Sequence, residues 1–138
     1  MKMPESGSLA SEGAKVVLAT SCDENHPPEN IIDGRSETFW VSTGLFPQEF
    51  IISFPSPKTI STLHLDCYNV KRFLIERSTD TDPVDFKPLQ DEKDLPVTDN
   101  QLMKEEVRVS NVQANHLRVS ILSGHDHFVS IHRLHING

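Results

Sequence analysis

The residues best suited to chemistry stand close together, between Ser21 and Gly44. Asp33 offers a carboxylate, Thr38 a hydroxyl, and the chain around Asn30 and Arg35 offers backbone carbonyls within the same tight turn. All of these donors are oxygen, which suits a hard cation such as Ca2+ better than Zn2+. The stretch is not an EF-hand: counted from Asp23, the alternating acidic positions and the glycine at the sixth place are missing. On chemistry alone a plainer reading is the better one. Asp33-Gly34 is a turn dipeptide, and its carboxylate can bond neighbouring N–H groups without any ion.

Other constellations are weaker. His125, Asp126, His127, His132 and His135 could supply a zinc shell, but no second cluster is spaced to complete one. His132 and His135 are three residues apart, so on a regular strand they point to opposite faces. Polar surface and cross-strand residues account for this set. Cys22 and His26 invite a thiolate reading, yet Asp23 and Glu24 would raise the thiol pKa. There is no Gly-x-Ser-x-Gly elbow, no phosphate-binding loop and no dinucleotide fingerprint, so the residues point away from an enzyme. A sugar platform needs exposed aromatics, and the chain has one Tyr and one Trp. Gly44-Leu45-Phe46-Pro47 could be an apolar membrane spike, but the negative charge favours a core rim or a protein-contact edge.

The elements that must position these residues read as strands. Pro27, Pro28, Asn30, Asp33 and Gly34 forbid regular helix in the polar stretch, while Ile31, Ile32, Phe39 and Trp40 call for burial. It is therefore an ordered loop pinned to a core at both ends. Before it, Lys15 to Thr20 is a short β-branched strand. After it, Phe50, Ile52 and Phe54 alternate onto one face, and Pro55-Ser56-Pro57 is expected to end that strand. Leu63, Leu65 and Cys67 alternate next, then Val70 to Ser78. Val84 to Gln90 reads as a short edge strand, where Pro88 is tolerated. Asp91 to Leu102 reads as a long surface loop. Glu105 to Ser110 alternates, and Leu117, Val119 and Ile121 share a face. In Phe128 to Asn137 the phase slips, with Val129 and Ile131 on one face and Leu134 and Ile136 on the other; a bulge near His132 reconciles them. About eight short strands with no helical period mean an all-β sandwich or barrel. Residues 1–13 are expected as a flexible N-terminal arm and 14–138 as a single domain.

Composition sets the outer limits. The 138 residues fit one domain with a sizeable core. A formal net charge of -7 disfavours nucleic acid and anionic membrane as partners. Two cysteines without a Cys-x-x-Cys, no glycosylation sequon and no apolar leader are what a reducing, cytoplasmic compartment would show.

Asn30-Ile-Ile-Asp33-Gly34, Thr38 and Trp40 resemble the signature loop of the discoidin, coagulation-factor type C and galactose-binding-like domains. Leu117-Arg118-Val119 and a terminal strand from Ile131 to Gly138 fit the closing pattern of those domains. The resemblance spans nearly the whole chain after Val16 and implies a jelly-roll β-sandwich. A narrower likeness lies in the runs His26-Pro-Pro-Glu-Asn-Ile-Ile-Asp-Gly34, Thr38-Phe-Trp40, Gly44-x-Phe-Pro-Gln-Glu-Phe-Ile51 and His127-Phe128. They resemble a family of intraflagellar transport subunits once grouped with small heat-shock proteins. That resemblance implies a structural calcium ion with Asn30, Asp33 and Thr38 as ligands. It also implies a heterodimer with the Rab-like small GTPase intraflagellar transport protein 27, within complex B of the trains that carry ciliary cargo. Cilium or flagellum and cytoplasm are the implied locations. The docking face is not legible; the edge around Leu45-Phe46 and the strand from Phe128 to Leu134 are the candidates. The rival expectations are a carbohydrate-binding, lectin-like module and a small-heat-shock-type chaperone. Against the chaperone, the chain ends in His135-Ile136-Asn137-Gly138 and not in an Ile-x-Ile/Val tail.

Overall fold

Alternating apolar residues become antiparallel strands throughout the protein. The computed structural model describes residues 8–20, 25–34, 38–43, 46–89, 92–96, 102–125 and 128–137. The strands are β1 (Lys15–Ala19), β2 (Trp40–Thr43), β3 (Gln48–Tyr68), β4 (Val70–Ser78), β5 (Lys87–Pro88), β6 (Lys93–Asp94), β7 (Met103–Gly124) and β8 (Phe128–Asn137). Among the described residues the helical content is one 3-10 turn, Pro28–Ile31, and no helix is long and apolar enough to cross a membrane.

The hydrogen-bonded order is β2-β8-β3-β7-β4-β5, with β1 added on β3 and β6 on β4. The two long strands make this ladder a two-layer sandwich. The first part of β3, up to Ser53, pairs with β1 and with the end of β7. Its second part, from Lys58, pairs with the start of β7, and from Thr62 also with β8. Between Ser53 and Lys58 the register shifts across Pro55-Ser56-Pro57, and a second shift follows Ile60, opposite the part of β7 that contains Asn111. The prolines therefore bend the strand and do not end it. They lack a donor only where no ladder bond is needed, and pairing resumes beyond them. Asn111, at φ 47, takes the left-handed conformation that asparagine tolerates best among non-glycine residues.

The inward faces carry the core. Phe50, Ile52, Leu63, Leu65, Cys67, Phe73, Ile75, Leu117, Val119 and Ile121 are fully buried, each on the face that alternation predicts. Full burial of such a side chain stabilises by about 1.5–3 kcal/mol before entropy is counted. Trp40 of β2 meets Phe50 of β3 edge-on, with ring centroids 5.6 Å apart, so the layers close on these two rings. The bulge expected near His132 is present. Asp66 pairs with Arg133 and Cys67 with Ile131, leaving His132 as the extra residue. That single insertion turns Val129 and Ile131, then Leu134 and Ile136, all toward the core.

Three further segments differ from expectation. Of the expected arm 1–13, residues 8–13 are packed: Leu9 is buried in the core and the Ala10 N–H donates to the Ile32 carbonyl at 3.0 Å. The expected surface loop 91–102 contributes β6, and Leu95 is buried in the core. The expected edge strand from Val84 shrinks to Lys87–Pro88, paired with Glu76 and Arg77.

Gly124 closes β7 under tight constraint. A Cβ there would lie 2.8 Å from Phe46 Cζ, 2.8 Å from Val129 Cγ1 and 3.2 Å from the Asn69 carbonyl oxygen. Gly124→Ala is expected to destabilise by about 1–3 kcal/mol through overpacking, read as a lower midpoint in urea. An unchanged midpoint would mean that Phe46 and Val129 yield freely.

Candidate functional site

The polar corner between β1 and β2 is built as the residues dictate. Proline at the start of the 3-10 turn supplies a preset φ where no donor is needed. The Asn30 N–H donates to the Pro27 carbonyl at 3.1 Å and the Ile32 N–H to the Glu29 carbonyl at 3.2 Å. Ile31 and Ile32 anchor the turn in the core. Gly34, at φ 79, then reverses the chain in a conformation that side chains resist.

This geometry brings together two of the three residues that the sequence singles out and sets the third on the same groove. Thr38 Oγ1 donates to Asp33 Oδ2 at 2.6 Å. Asn30 Nδ2 donates to the Phe39 carbonyl at 3.0 Å, which leaves its Oδ1 as an acceptor. All three line one groove of about 730 Å3, together with Val16, Ile32 and Pro27. The donor set is wholly oxygen and contains one carboxylate. It fits a calcium ion completed by backbone and water oxygens, and it does not fit zinc. Arg35, whose carbonyl the sequence adds to this set, lies outside the described residues.

The histidines do other work. His125 Nε2 lies 2.9 Å from the Leu95 carbonyl oxygen, and the His125 N–H donates to the Asn69 carbonyl at 2.7 Å. His132, at the bulge, stacks on Phe39 with centroids 4.9 Å apart, and His26 stacks on the other side of Phe39 at 4.2 Å. The three-ring stack sits beside the groove, and the bulge is what aims His132 at it. His135 pairs with Asn137 on the outer sheet face. Among the described residues no three His, Cys, Asp or Glu side chains converge as a metal site. Asp126, His127 and Cys22 lie outside the described residues.

Some pairings were not legible in the sequence. Ser53 Oγ is 2.6 Å from His116 Nδ1, and His116 Nε2 is 3.0 Å from the Thr81 carbonyl oxygen. The carbonyl selects the Nε2–H tautomer, so Ser53 donates to Nδ1. Asn115 Nδ2 donates to the carbonyls of Thr79 and Asp80, at 2.8 and 3.1 Å. Both side chains thus pin the Thr79 turn to the sheet. Cys67 is free and buried; burial first, then Glu105 and Asp66, push its thiol up to about 12, so it is no nucleophile. Of the two apolar edges considered for a partner, Val129, Ile131 and Leu134 face the core and Phe46 packs against it. The Leu45 placement and the Phe128 side chain lie outside the described residues. Among the described residues, the large apolar side chains that are exposed are Val17, Leu18, Val84 and Leu102.

Comparison with known proteins places this arrangement. The F5/8 type C domain model matches residues 17–134. The intraflagellar transport protein 25 homolog of Homo sapiens is 51% identical over 130 residues, covering 94% of this chain and 90% of that protein. Intraflagellar transport protein 25 of Chlamydomonas reinhardtii is 35% identical over 126 residues, covering 91% of this chain and 66% of that protein. Among solved structures, CpGH89CBM32-5 from Clostridium perfringens, in complex with GalNAc-beta-1,3-galactose, superposes with TM-score 0.79 at 18% identity, covering 95% of this chain and 99% of that one. The C-terminal domain of a chitobiase from Bacteroides fragilis gives TM-score 0.79 at 21% identity, with 95% and 97% covered. These likenesses establish the galactose-binding-like jelly roll and nothing about ligands. A discoidin-type sandwich whose polar corner joins Asp33 to Thr38, matched along nearly its whole length, belongs to the intraflagellar transport protein 25 family.

Proposed function

We propose that this chain is a non-enzymatic subunit of intraflagellar transport complex B, acting in the cilium or flagellum. It pairs with a Rab-like small GTPase, intraflagellar transport protein 27, and carries a structural calcium ion at Asn30, Asp33 and Thr38. One observation carries the transport role: 51% identity to the intraflagellar transport protein 25 homolog of Homo sapiens, extending over 94% of this chain. The geometry is compatible with a binding role. The serine-histidine pair pins a turn, the thiol is buried, and Ala14, Val16, Pro27 and Ile32 line the groove beside β1.

For the partner, β1 is the best-supported face. Among the described residues it pairs only with β3, and it leaves Val17 and Leu18 exposed beside the groove. An apolar strand edge next to the polar corner is a surface that a protein partner can cover. Co-purification of the tagged chain from ciliated cells is expected to recover a small GTPase and further transport subunits. Leu18→Glu is expected to weaken GTPase capture about ten-fold, as burial of an unpaired charge costs more than 1.4 kcal/mol. Recovery of no GTPase would refute the pairing; full capture by the variant would refute only the face.

A further inference from the structure

We propose that His64 and His135 form a surface site for a zinc-class divalent cation, with Asn137 as a third protein ligand. The site lies on the outer face of the β3–β8 pair and shares no residue with the oxygen-lined corner. His64 and His135 are direct cross-strand partners, so both side chains leave the same face of the sheet. Their ring centroids are 6.1 Å apart. Both rings present Nε2 to one small group: His64 Nε2 is 3.2 Å from Asn137 Nδ2, and His135 Nε2 is 3.2 Å from Asn137 Oδ1.

Two imidazole nitrogens converging on the space of one amide are placed for a shared ion, which binds each at about 2.0–2.1 Å. The rings are half-buried and held by the sheet, whereas Asn137 is exposed near the end of β8. Its side chain can swing toward an ion while its carbonyl stays bonded to Ser61 Oγ at 3.1 Å. The present hydrogen bonds define the proton shift that binding needs. His64 accepts at Nε2 and is ready to ligate. His135 donates from Nε2 and must carry its proton on Nδ1 instead. Glu106 faces His64 from β7, and its carboxylate is paired with Arg108 at 2.8 Å, so this pair adds no net charge beside the ion. Water fills the remaining position. Nitrogen donors select zinc, copper or nickel over calcium, so the two sites do not compete for one metal. An ion here ties the terminal strand to the centre of the sheet.

The test is the thermal melting of the full chain in ZnCl2 against EDTA, each variant referenced to its own midpoint in EDTA. Zinc is expected to raise the midpoint of the wild type, because it binds the folded face. The rise should vanish in His64→Gln and in His135→Gln and persist in Asp33→Ala. Calorimetric titration with zinc should show one site, weakened at least about ten-fold by either histidine substitution. A zinc-dependent rise that survives both substitutions puts the ion elsewhere and overturns the proposal. So does a wild type with neither a rise nor saturable heat.

Discussion

Trp40→Ala is expected to cost about 3–5 kcal/mol, a large part of the roughly 5–15 kcal/mol that holds a domain of this kind together. The indole is fully buried and lies edge-on to Phe50, and its strand partner is Ile131. Its removal leaves a void between two layers whose backbones are fixed by their ladders, so the site collapses only in part. The loss also reaches the candidate site. Phe39, the preceding residue, holds Asn30 through its carbonyl and stands in the ring stack between His26 and His132. Urea unfolding followed by far-UV circular dichroism checks the cost, since the variant lacks the chain's one tryptophan. Trp40→Phe keeps a ring against Phe50 and is expected to cost less. A Trp40→Ala midpoint equal to wild type would mean that the layers do not close on this ring.

Strands were legible wherever apolar residues alternated over enough positions to define a face. Leu117, Val119 and Ile121 declared themselves in this way, and the phase slip after Ile131 declared the bulge at His132. Leu9 and Leu95 were not legible. Each stands in a short stretch with no alternation to define a face, and its burial depends on which gap in the sandwich it reaches. The bend at Pro55-Ser56-Pro57 read as a strand end because local rules see the missing donors, not the ladder that resumes at Lys58. Long-range pairs were invisible for a related reason. Ser53 meets His116, and His64 meets His135, only after the strand order and register are set, and no local pattern encodes either. The corner was legible as a turn with oxygen donors. That Asp33 and Thr38 meet follows from how Gly34 and the buried isoleucines orient it.

Asp33→Ala is expected to remove the calcium dependence of stability altogether. A ligand bound only by the folded chain stabilises it by RT ln(1 + [L]/Kd), about 2.7 kcal/mol at a hundred-fold excess over Kd. The wild type should therefore melt higher in calcium than in chelator, and the variant should show one midpoint in both. Asp33→Ala also removes the acceptor for Thr38 Oγ1, so some loss in chelator is expected as well. Asp33→Asn separates the two effects. The amide still accepts from Thr38, but it lacks the charge that a hard cation requires, so stability in chelator should be nearly kept and the calcium increment lost. Thr38→Val should lose part of the increment, because it removes one neutral oxygen and leaves the carboxylate. Magnesium should replace calcium poorly, since it demands near-octahedral geometry at shorter distances and this corner is set by backbone turns and not by a ring of carboxylates. Coincident wild-type melting curves in calcium and chelator would leave Asp33 as an acceptor within a tight turn, holding the Thr38 hydroxyl and no ion.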